Sequence, residues 1–532
     1  MKWLPVLFLA IAPGFAPAQA PNAAPESLPA WSGYAHDPQH TGTSAAAAQP
    51  LSSKRWCTPV DQNPPGGTGS VVDCTVGSGG GNGDLYVHYG SPVVTAGNTV
   101  IVPVTTASGT YQLEAFNGAT GAALYTLSSC SASGCYTPAA LAWTPPYGPA
   151  LSLSTRVYYP GPGGTLFYRA SPDSATGTVG QVAFYGTALY NANQAAFNST
   201  VQITTPLTAD RWGNIFFGYQ VTGSNPLTSA PANLASGIAR VSPDGTGTWK
   251  SAVALTGDVS ANVVAYNASP VLSDTEKTLY AVTSNGQSFG YGYLVSLNAT
   301  TLAPLGHVLL LDPRPGYGRA EVSALSSASP MVGPDGDVYF GVLEANCCST
   351  HNDRGWMLHF NSLLTVMKTP GSFGWDSTPS VVPSKAVPSY TGKSSYLILT
   401  KYNNYADLGI GNGLNQVAVL DPLETMPDEY NYGGTVATVM KEVITVTGVT
   451  QNSGMAGVRE WCINSAAIDP YTKSAIINSE DGTVYRWDFT SNSLSQRVNL
   501  TPGRGEAYTP TVIGPDGTVY AINDAILFAV GN

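Results

Sequence analysis

The stretch Ser329-Pro330-Met331-Val332-Gly333-Pro334-Asp335-Gly336-Asp337-Val338-Tyr339-Phe340 reads as a short apolar strand, a tight turn and a second, alternating strand. Thr509-Pro510-Thr511-Val512-Ile513-Gly514-Pro515-Asp516-Gly517-Thr518-Val519-Tyr520-Ala521 repeats it nearly position for position. A small residue and a proline open the phrase, and Asp-Gly supplies the positive φ that a hairpin turn needs. Valine and aromatics then fill the second strand. A lone Asp in each turn lacks the spaced carboxylates of a calcium loop, so the dipeptide is read as a turn.

Outward from these two copies, the phrase recurs along the chain. It stands at Ser91-Pro92 before Thr99-Val100, at Gly148-Pro149 before Arg156-Val157, and at Thr205-Pro206 before Asn214-Ile215. It returns at Ser269-Pro270 before Thr278-Leu279 and at Thr378-Pro379 before Ser395-Tyr396. Asn464-Ser465 before Lys473-Ser474 is a copy without proline. Most copies lie about 45 to 65 residues apart, the length of a propeller blade. After the second strand comes a third, a turn and a fourth, most clearly from Tyr111 through Asn117 and Gly121 to Tyr125. The expected fold is therefore all-β: a β-propeller of four-stranded antiparallel blades, eight in number, or seven if one weak repeat is an insertion. The last repeat has only three strands before Asn532, so the segment Leu51–Val60 is expected to supply its fourth and close the ring.

Composition agrees. Charged residues are 10% of the chain, with 58 Gly and 40 Pro, and no convincing amphipathic helix follows residue 30. Residues 1–18 read as an export signal: Lys2, the apolar run Trp3 to Ala12, and a cleavage site after Ala16-Pro17-Ala18. Residues 19–50 form a leader and 51–532 a single propeller domain. Loss of Lys2 would move the net charge from −11 by one unit, leaving no basic stripe for nucleic acid. No later run approaches about 18 apolar residues, so an exported protein, secreted or periplasmic, is expected, without a membrane span and monomeric. Seven cysteines suit an oxidising compartment. Cys130 and Cys135 are placed for a local bridge, Cys57 and Cys74 could staple an N-terminal loop, Cys347 and Cys348 are adjacent, and Cys462 is odd. No cysteine or histidine spacing suits zinc, so no metal site is expected. The segment from Asp421 to Arg459 reads as a long loop or an added hairpin, and Gly66 to Gly83 as a glycine-rich insertion.

Two stretches carry a resemblance. Trp31-Ser-Gly-Tyr-Ala-His-Asp37-Pro-Gln-His-Thr41-Gly42 resembles the leader that precedes quinoprotein-like propellers. Leu113 to Gly121 looks like their Ala-Leu-Asp-x-x-Thr-Gly strand and turn. The resemblance implies a quinoprotein-like propeller (the pyrroloquinoline-quinone-like repeat) over residues 31–532. Cys347-Cys348 is similar to the vicinal disulfide that lies against the quinone in that family, but theirs sits in an early blade and this pair in the fifth. The family's calcium ligands and catalytic Asp have no counterpart here, so no cofactor is expected, neither the quinone nor its calcium.

Repeat phase locates the candidate site. The loop entering each innermost strand and the loop joining strands two and three share one face of a propeller. At those phases stand His88, Tyr89, Tyr147, Arg319, Glu321, Glu344, Trp356 and Tyr405. His351, Arg354, Lys401 and Tyr402 are the catalytic candidates: a base among His351 and Tyr402, and an anion stabiliser among Arg354 and Lys401. Asp353, Trp375, Asp376, Asn403, Asn404, Arg459, Glu460, Trp461, Arg504, Glu506 and Tyr508 are the candidate binding residues. Their aromatic faces and amides suit a polar small molecule or glycan. Blade-to-blade bracing is the competing role for every one of these charges. Binding of a carbohydrate-like ligand is the expected function; a polysaccharide lyase or hydrolase using the same face is the alternative, with a quinone-dependent dehydrogenase less favoured.

Overall fold

The computed structural model describes residues 31–532 except 63, 65–87, 137–147, 153–154, 224–225, 228–232, 324–325, 347–349, 407–409, 434–435, 455, 503–504 and 506. The export signal, the glycine-rich insertion, Cys74, Tyr147, Cys347, Cys348, Arg504 and Glu506 lie outside the described residues.

Each of the eight phrases opens one antiparallel blade. The innermost strands are Val93–Val94, Ala150–Ser152, Thr208–Ala209, Val271–Leu272, Met331–Val332, Ser380–Pro383, Ala467–Asp469 and Val512–Ile513. Each pairs with the strand that follows it. In blades five and eight the turn between them is a three-residue loop. In blade five Gly336 N–H donates to Gly333 O, Gly333 N–H to Asp337 O, and only Gly336 is left-handed, at φ 84°. This is a type I turn closed by a glycine bulge, rather than a two-residue turn with two positive φ values. The Asp335 carboxylate accepts the Asp337 N–H, as Asp516 accepts that of Thr518 in blade eight. The carboxylates thus hold their own loops.

The turn after the third strand is equally regular. Asn117 Oδ1 accepts from the backbone of Ala119 and Thr120 in blade one, and Asn298 Oδ1 does the same for Thr300 and Thr301 in blade four. Asp488 repeats it in blade seven with Thr490 and Ser491.

At Ser269, Ser329, Thr378 and Thr509 the hydroxyl before the proline has a further role, because it reaches a neighbouring blade. Thr208 Oγ1 lies 3.1 Å from Ser269 Oγ, Ser329 Oγ accepts from Ser269 N, Thr378 Oγ1 accepts from Ser329 N, and Thr378 N donates to Asn464 O. These links form a belt from blade three to blade seven around the axis. A buried hydroxyl without such a partner would be costly, so Ser or Thr at this position serves assembly as much as local structure.

Ser53–Pro59 pairs with Ile526–Gly531, so the N-terminal strand completes the last blade, as the sequence suggested. Trp56 of that strand lies 5.8 Å from both Phe116 of blade one and Tyr520 of blade eight. Gly121 keeps that seam open, since a β-carbon there would sit 2.6 Å from Trp56 Cγ.

Three details depart from the uniform four-stranded expectation. Blades three and four have five strands, because the innermost position is broken at Pro206 and Pro270, which lack an N–H for the ladder. Blade five has three. Its outer position is taken by residues 364–371, joined through single bridges at Phe360–Met367 and Met357–Gly371. The Asp421–Arg459 segment explains this edge. It is a hairpin of blade six, Gln416–Pro427 and Thr438–Thr447, that leans over blade five, with Met440 N–H donating to Pro370 O and Val439 buried in the blade-five core. Short helices also occur, at Thr187–Ala192, Gln194–Thr200 and Ala252–Thr256. No helix among the described residues is long and apolar enough to cross a membrane. Cys130 and Cys135 form the expected local disulfide, and Cys57 is disulfide-bonded. A disulfide is in keeping with an extracytoplasmic location.

Candidate functional site

The innermost strands all run the same way along the axis, so their entering loops gather at one mouth and their hairpin turns at the other. The leader occupies the turn-side mouth. It pairs with Val94 through Trp31, and its carbonyls at Ser32, Pro38, Gln39, Thr41 and Gly42 accept from Leu151, Leu272, Val332, Val381 and Ile468 in blades two, four, five, six and seven. Asp37 shapes the bend by accepting from Gln39 N, Thr41 N and Thr41 Oγ1. Burial raises its carboxyl, but hydrogen bonds from His36 and Thr41 bring it below the usual range. Tyr34 projects inward. Its hydroxyl meets Ser327 O, Thr378 Oγ1 and Asn464 Oδ1, the belt itself. His40 bonds Pro330 O at 2.8 Å, and burial pushes its pKa down to about 4. This mouth is filled.

The opposite mouth is lined by side chains from distant blades. His88 precedes blade one, Tyr508 precedes blade eight, Asp376 precedes blade six, and Lys401 ends the second strand of blade six. Such residues can meet only near the axis. The His88 and Tyr508 rings lie 4.1 Å apart, and His88 Nε2 is 3.6 Å from Asp376 Oδ2. Asp376 Oδ1 accepts from Ser327 N at 2.5 Å and Ser327 Oγ at 2.7 Å, joining this end to the Tyr34 layer beneath. Burial pushes His88 down to about 4, with Asp376 opposing and Lys401 reinforcing, so the ring is neutral at pH 7. Lys401 Nζ stands 4.8 Å from the Tyr508 ring and 5.7 Å from that of Phe373. The residue is 1% exposed, and among the described residues its ammonium has no hydrogen bond and no carboxylate partner.

The remaining catalytic candidates face inward between blades five and six. His351 stacks on Trp356 at 3.8 Å, with Nε2 3.1 Å from Asp428 Oδ2, and burial pushes it down to about 4. Arg354 donates through Nε to Ser372 O and through Nη1 to Asn403 O. Its guanidinium lies 3.6 Å from the Tyr430 ring and 4.4 Å from that of Tyr402. Burial raises the Tyr402 hydroxyl well above its usual value. His351, Arg354 and Tyr402 are all 0% exposed. Glu344 accepts from Asp353 N and Gly355 N, and burial pushes it up to about 7.

Both nearby amides are spent on structure. Asn403 exchanges two bonds with the Trp461 backbone, pinning blade seven to blade six. Asn404 accepts from Asn352 and Tyr432 and donates to Asn412. Glu460 lies near Cys462 and Glu480, with possible ligand atoms within 4.8 Å, and the Cys462 thiol donates to Glu480 at 2.9 Å. Arg459 makes no ion pair among the described residues. Trp375, with Glu321, Ser323 and Ser326, lines a slot between blades four and five with about 10 Å³ of room, enough for one water. Arg319 stacks on Tyr291 at the surface.

Sequence reasoning missed Tyr34, Ser327, Phe373 and Asp428. Tyr34 had a signal: three ring-bearing residues besides it crowd the leader between Trp31 and His40. Asp428 had none, because its partner His351 lies 77 positions away across a blade boundary and a hairpin.

No protein-family model matches the chain, and no curated protein matches it. Among solved structures it is similar to quinohemoprotein alcohol dehydrogenase from Comamonas testosteroni, with a TM-score of 0.52 and 11% identity over 96% of this chain and 78% of that one. A europium-containing methanol dehydrogenase matches with a TM-score of 0.49 and 9% identity, over 92% of this chain and 89% of that one. Sqt1 from Saccharomyces cerevisiae matches with a TM-score of 0.48 and 10% identity, over 85% of this chain and 97% of that one. The first of these shows that the eight-bladed propeller is shared with the quinoprotein dehydrogenases, as the leader and strand-turn phrases implied. At 11% identity the likeness speaks to fold alone.

Proposed function

We propose that this chain is an exported binding module that takes a polar, carbohydrate-like ligand at the mouth opposite the leader. One observation carries the reading: of the two ends of the channel, one is filled by main chain and the other is lined by His88, Asp376, Lys401, Phe373 and Tyr508. Convergent polar groups between aromatic faces are what a polar ligand uses for orientation and stacking. The Cys130–Cys135 disulfide and the N-terminal apolar run support export.

Binding is better supported than acid–base catalysis. A lyase or hydrolase would need a base and an anion stabiliser facing common space. His351, Arg354 and Tyr402 instead face the interior of blades five and six, and only Lys401 reaches the mouth.

A calcium-held quinone does not fit the described donors. Calcium takes about six to eight oxygen ligands, several of them carboxylates. At the mouth the Asp376 carboxylate already accepts from Ser327 twice. The cluster of Glu460, Cys462 and Glu480 includes a thiol, which favours softer metals. No step is assigned to the quinone.

Isothermal titration of the purified protein against a panel of neutral and acidic mono- and oligosaccharides tests the reading. A saturable response that a Tyr508→Ala variant loses supports it. A flat response across the panel overturns it.

A further inference from the structure

We infer that the ligand taken at this mouth presents a carboxylate, as a uronic acid does, and that Lys401 Nζ is its counter-ion between the rings of Phe373 and Tyr508. The inference rests on the proposed binding mouth and narrows its ligand from polar to singly anionic.

The argument begins with cost. Enclosing an ammonium away from water is expensive unless a partner anion or several acceptors replace its hydration. Several other buried or half-buried cations of this chain have such partners. Arg314 forms a bidentate pair with Asp312, at 2.9 and 2.7 Å. Arg486 reaches Asp469, Gln496 and two backbone carbonyls, and Lys368 meets Asp337. Lys401 has two aromatic faces and, among the described residues, no oxygen partner. Ring faces stabilise a cation by about 0.5–2 kcal/mol, less than buried ions lose. In a chain with 33 acidic residues and 22 basic ones, a buried lysine unpaired among the described residues is not for want of carboxylates.

The surroundings define the anion's charge. His88 is held neutral by burial and adds no second positive charge. Asp376 places a carboxylate oxygen 3.6 Å from Nε2 of the His88 ring. A dianion such as phosphate would gain one ammonium and meet one carboxylate. A carboxylate, with a single charge and two acceptor oxygens, matches one ammonium. Phe373 and Tyr508 flank the ammonium with their rings.

The test uses the full protein with [13Cε]lysine and nuclear magnetic resonance, the Lys401 signal being assigned by its loss in Lys401→Met. D-Glucuronate, its methyl ester, D-glucose and sodium sulfate are titrated separately. Glucuronate is expected to move the Lys401 signal saturably. The ester and glucose should bind at least about tenfold more weakly, in line with a charge-assisted hydrogen bond of 1.5–3 kcal/mol. In Lys401→Met, calorimetry should show acid and ester binding alike, while Lys401→Arg should keep part of the preference. Equal binding of acid and ester to the native protein overturns the carboxylate and leaves the binding mouth standing. A stronger response to sulfate than to glucuronate also overturns it. No response of the Lys401 signal to glucuronate, whether or not glucose binds elsewhere, overturns the inference; no binding of any sugar overturns the mouth as well.

Discussion

At the turn-side mouth of the channel the main chain does the joining. Leader carbonyls meet strand N–H groups blade after blade, and the Tyr34 hydroxyl ends on the belt of Ser, Thr and Asn. At the opposite mouth side chains line the space, and one of them, Lys401, has no oxygen partner among the described residues. The two ends are built from the same repeat, entered from opposite directions. The difference teaches how to divide polar residues in such a fold. Groups whose valences are met hold the blades together, and a buried group whose valences are unmet points to something that binds.

That division can be broken first at the filled end. Tyr34→Ala removes a buried ring and leaves the belt groups it serves without a partner, and should destabilise the protein by about 3–5 kcal/mol. Tyr34→Phe keeps the ring and should lose about 1–3 kcal/mol. Calorimetric unfolding checks both, and a loss in Tyr34→Ala no greater than that of a surface substitution would mean that the leader does not plug the channel.

The next effect is in pH. His40, His88 and His351 are each lowered from 6.5 to about 4 by burial, so each is neutral in the fold and takes up a proton on unfolding between those values. Stability is therefore fully present above pH 6.5 and is lost as pH falls toward 4, by roughly 3 kcal/mol for each ring. Glu344, raised to about 7, acts in the opposite sense between pH 4.5 and 7, and offsets about one of the three. A His40→Gln variant should flatten the slope of stability against pH in that window by one proton. An unchanged slope would show that His40 is not buried at the plugged end.

A smaller effect lies at Gly42. It is left-handed at φ 64°, and a β-carbon there would meet Ser380 Oγ at 2.8 Å and Ala466 O at 2.9 Å. Gly42→Ala should cost about 1–3 kcal/mol through strain where the leader crosses blades six and seven. Smallest of all is Lys401→Met, which keeps the length of the stem and removes the charge. It should leave stability within about 1 kcal/mol of the native protein or raise it, because a buried unpaired charge is replaced by an apolar chain. A clear destabilisation, measured by the same calorimetry, would make Lys401 a brace and not a binding group.

Most of the fold could be read from eight copies of one phrase, since small residue, proline, turn and alternating strand are all local signals. The split inner strands could not, because whether Pro206 and Pro270 begin a strand or interrupt one depends on the residues paired across the blade. The missing outer strand of blade five was hidden for a similar reason: a hairpin from blade six covers it. In the candidate site, phase assigned Asp376, Lys401 and Tyr508 to one end of the propeller, and there they lie around His88. It could not separate them from His351 and Arg354, which share that phase but turn into the blade interface, where Asp428, Ser372 and Tyr430 meet them. Phase fixes the end of the propeller, and distance from the axis is set by contacts far apart in sequence.

Hydrogen–deuterium exchange with and without saturating D-glucuronate tests the central claim most directly. The account predicts slower exchange in residues 371–378, 399–405 and 507–511, and no change in the leader from 31 to 45. Protection confined to the leader or to the outer strands, with those three segments unchanged, would contradict it.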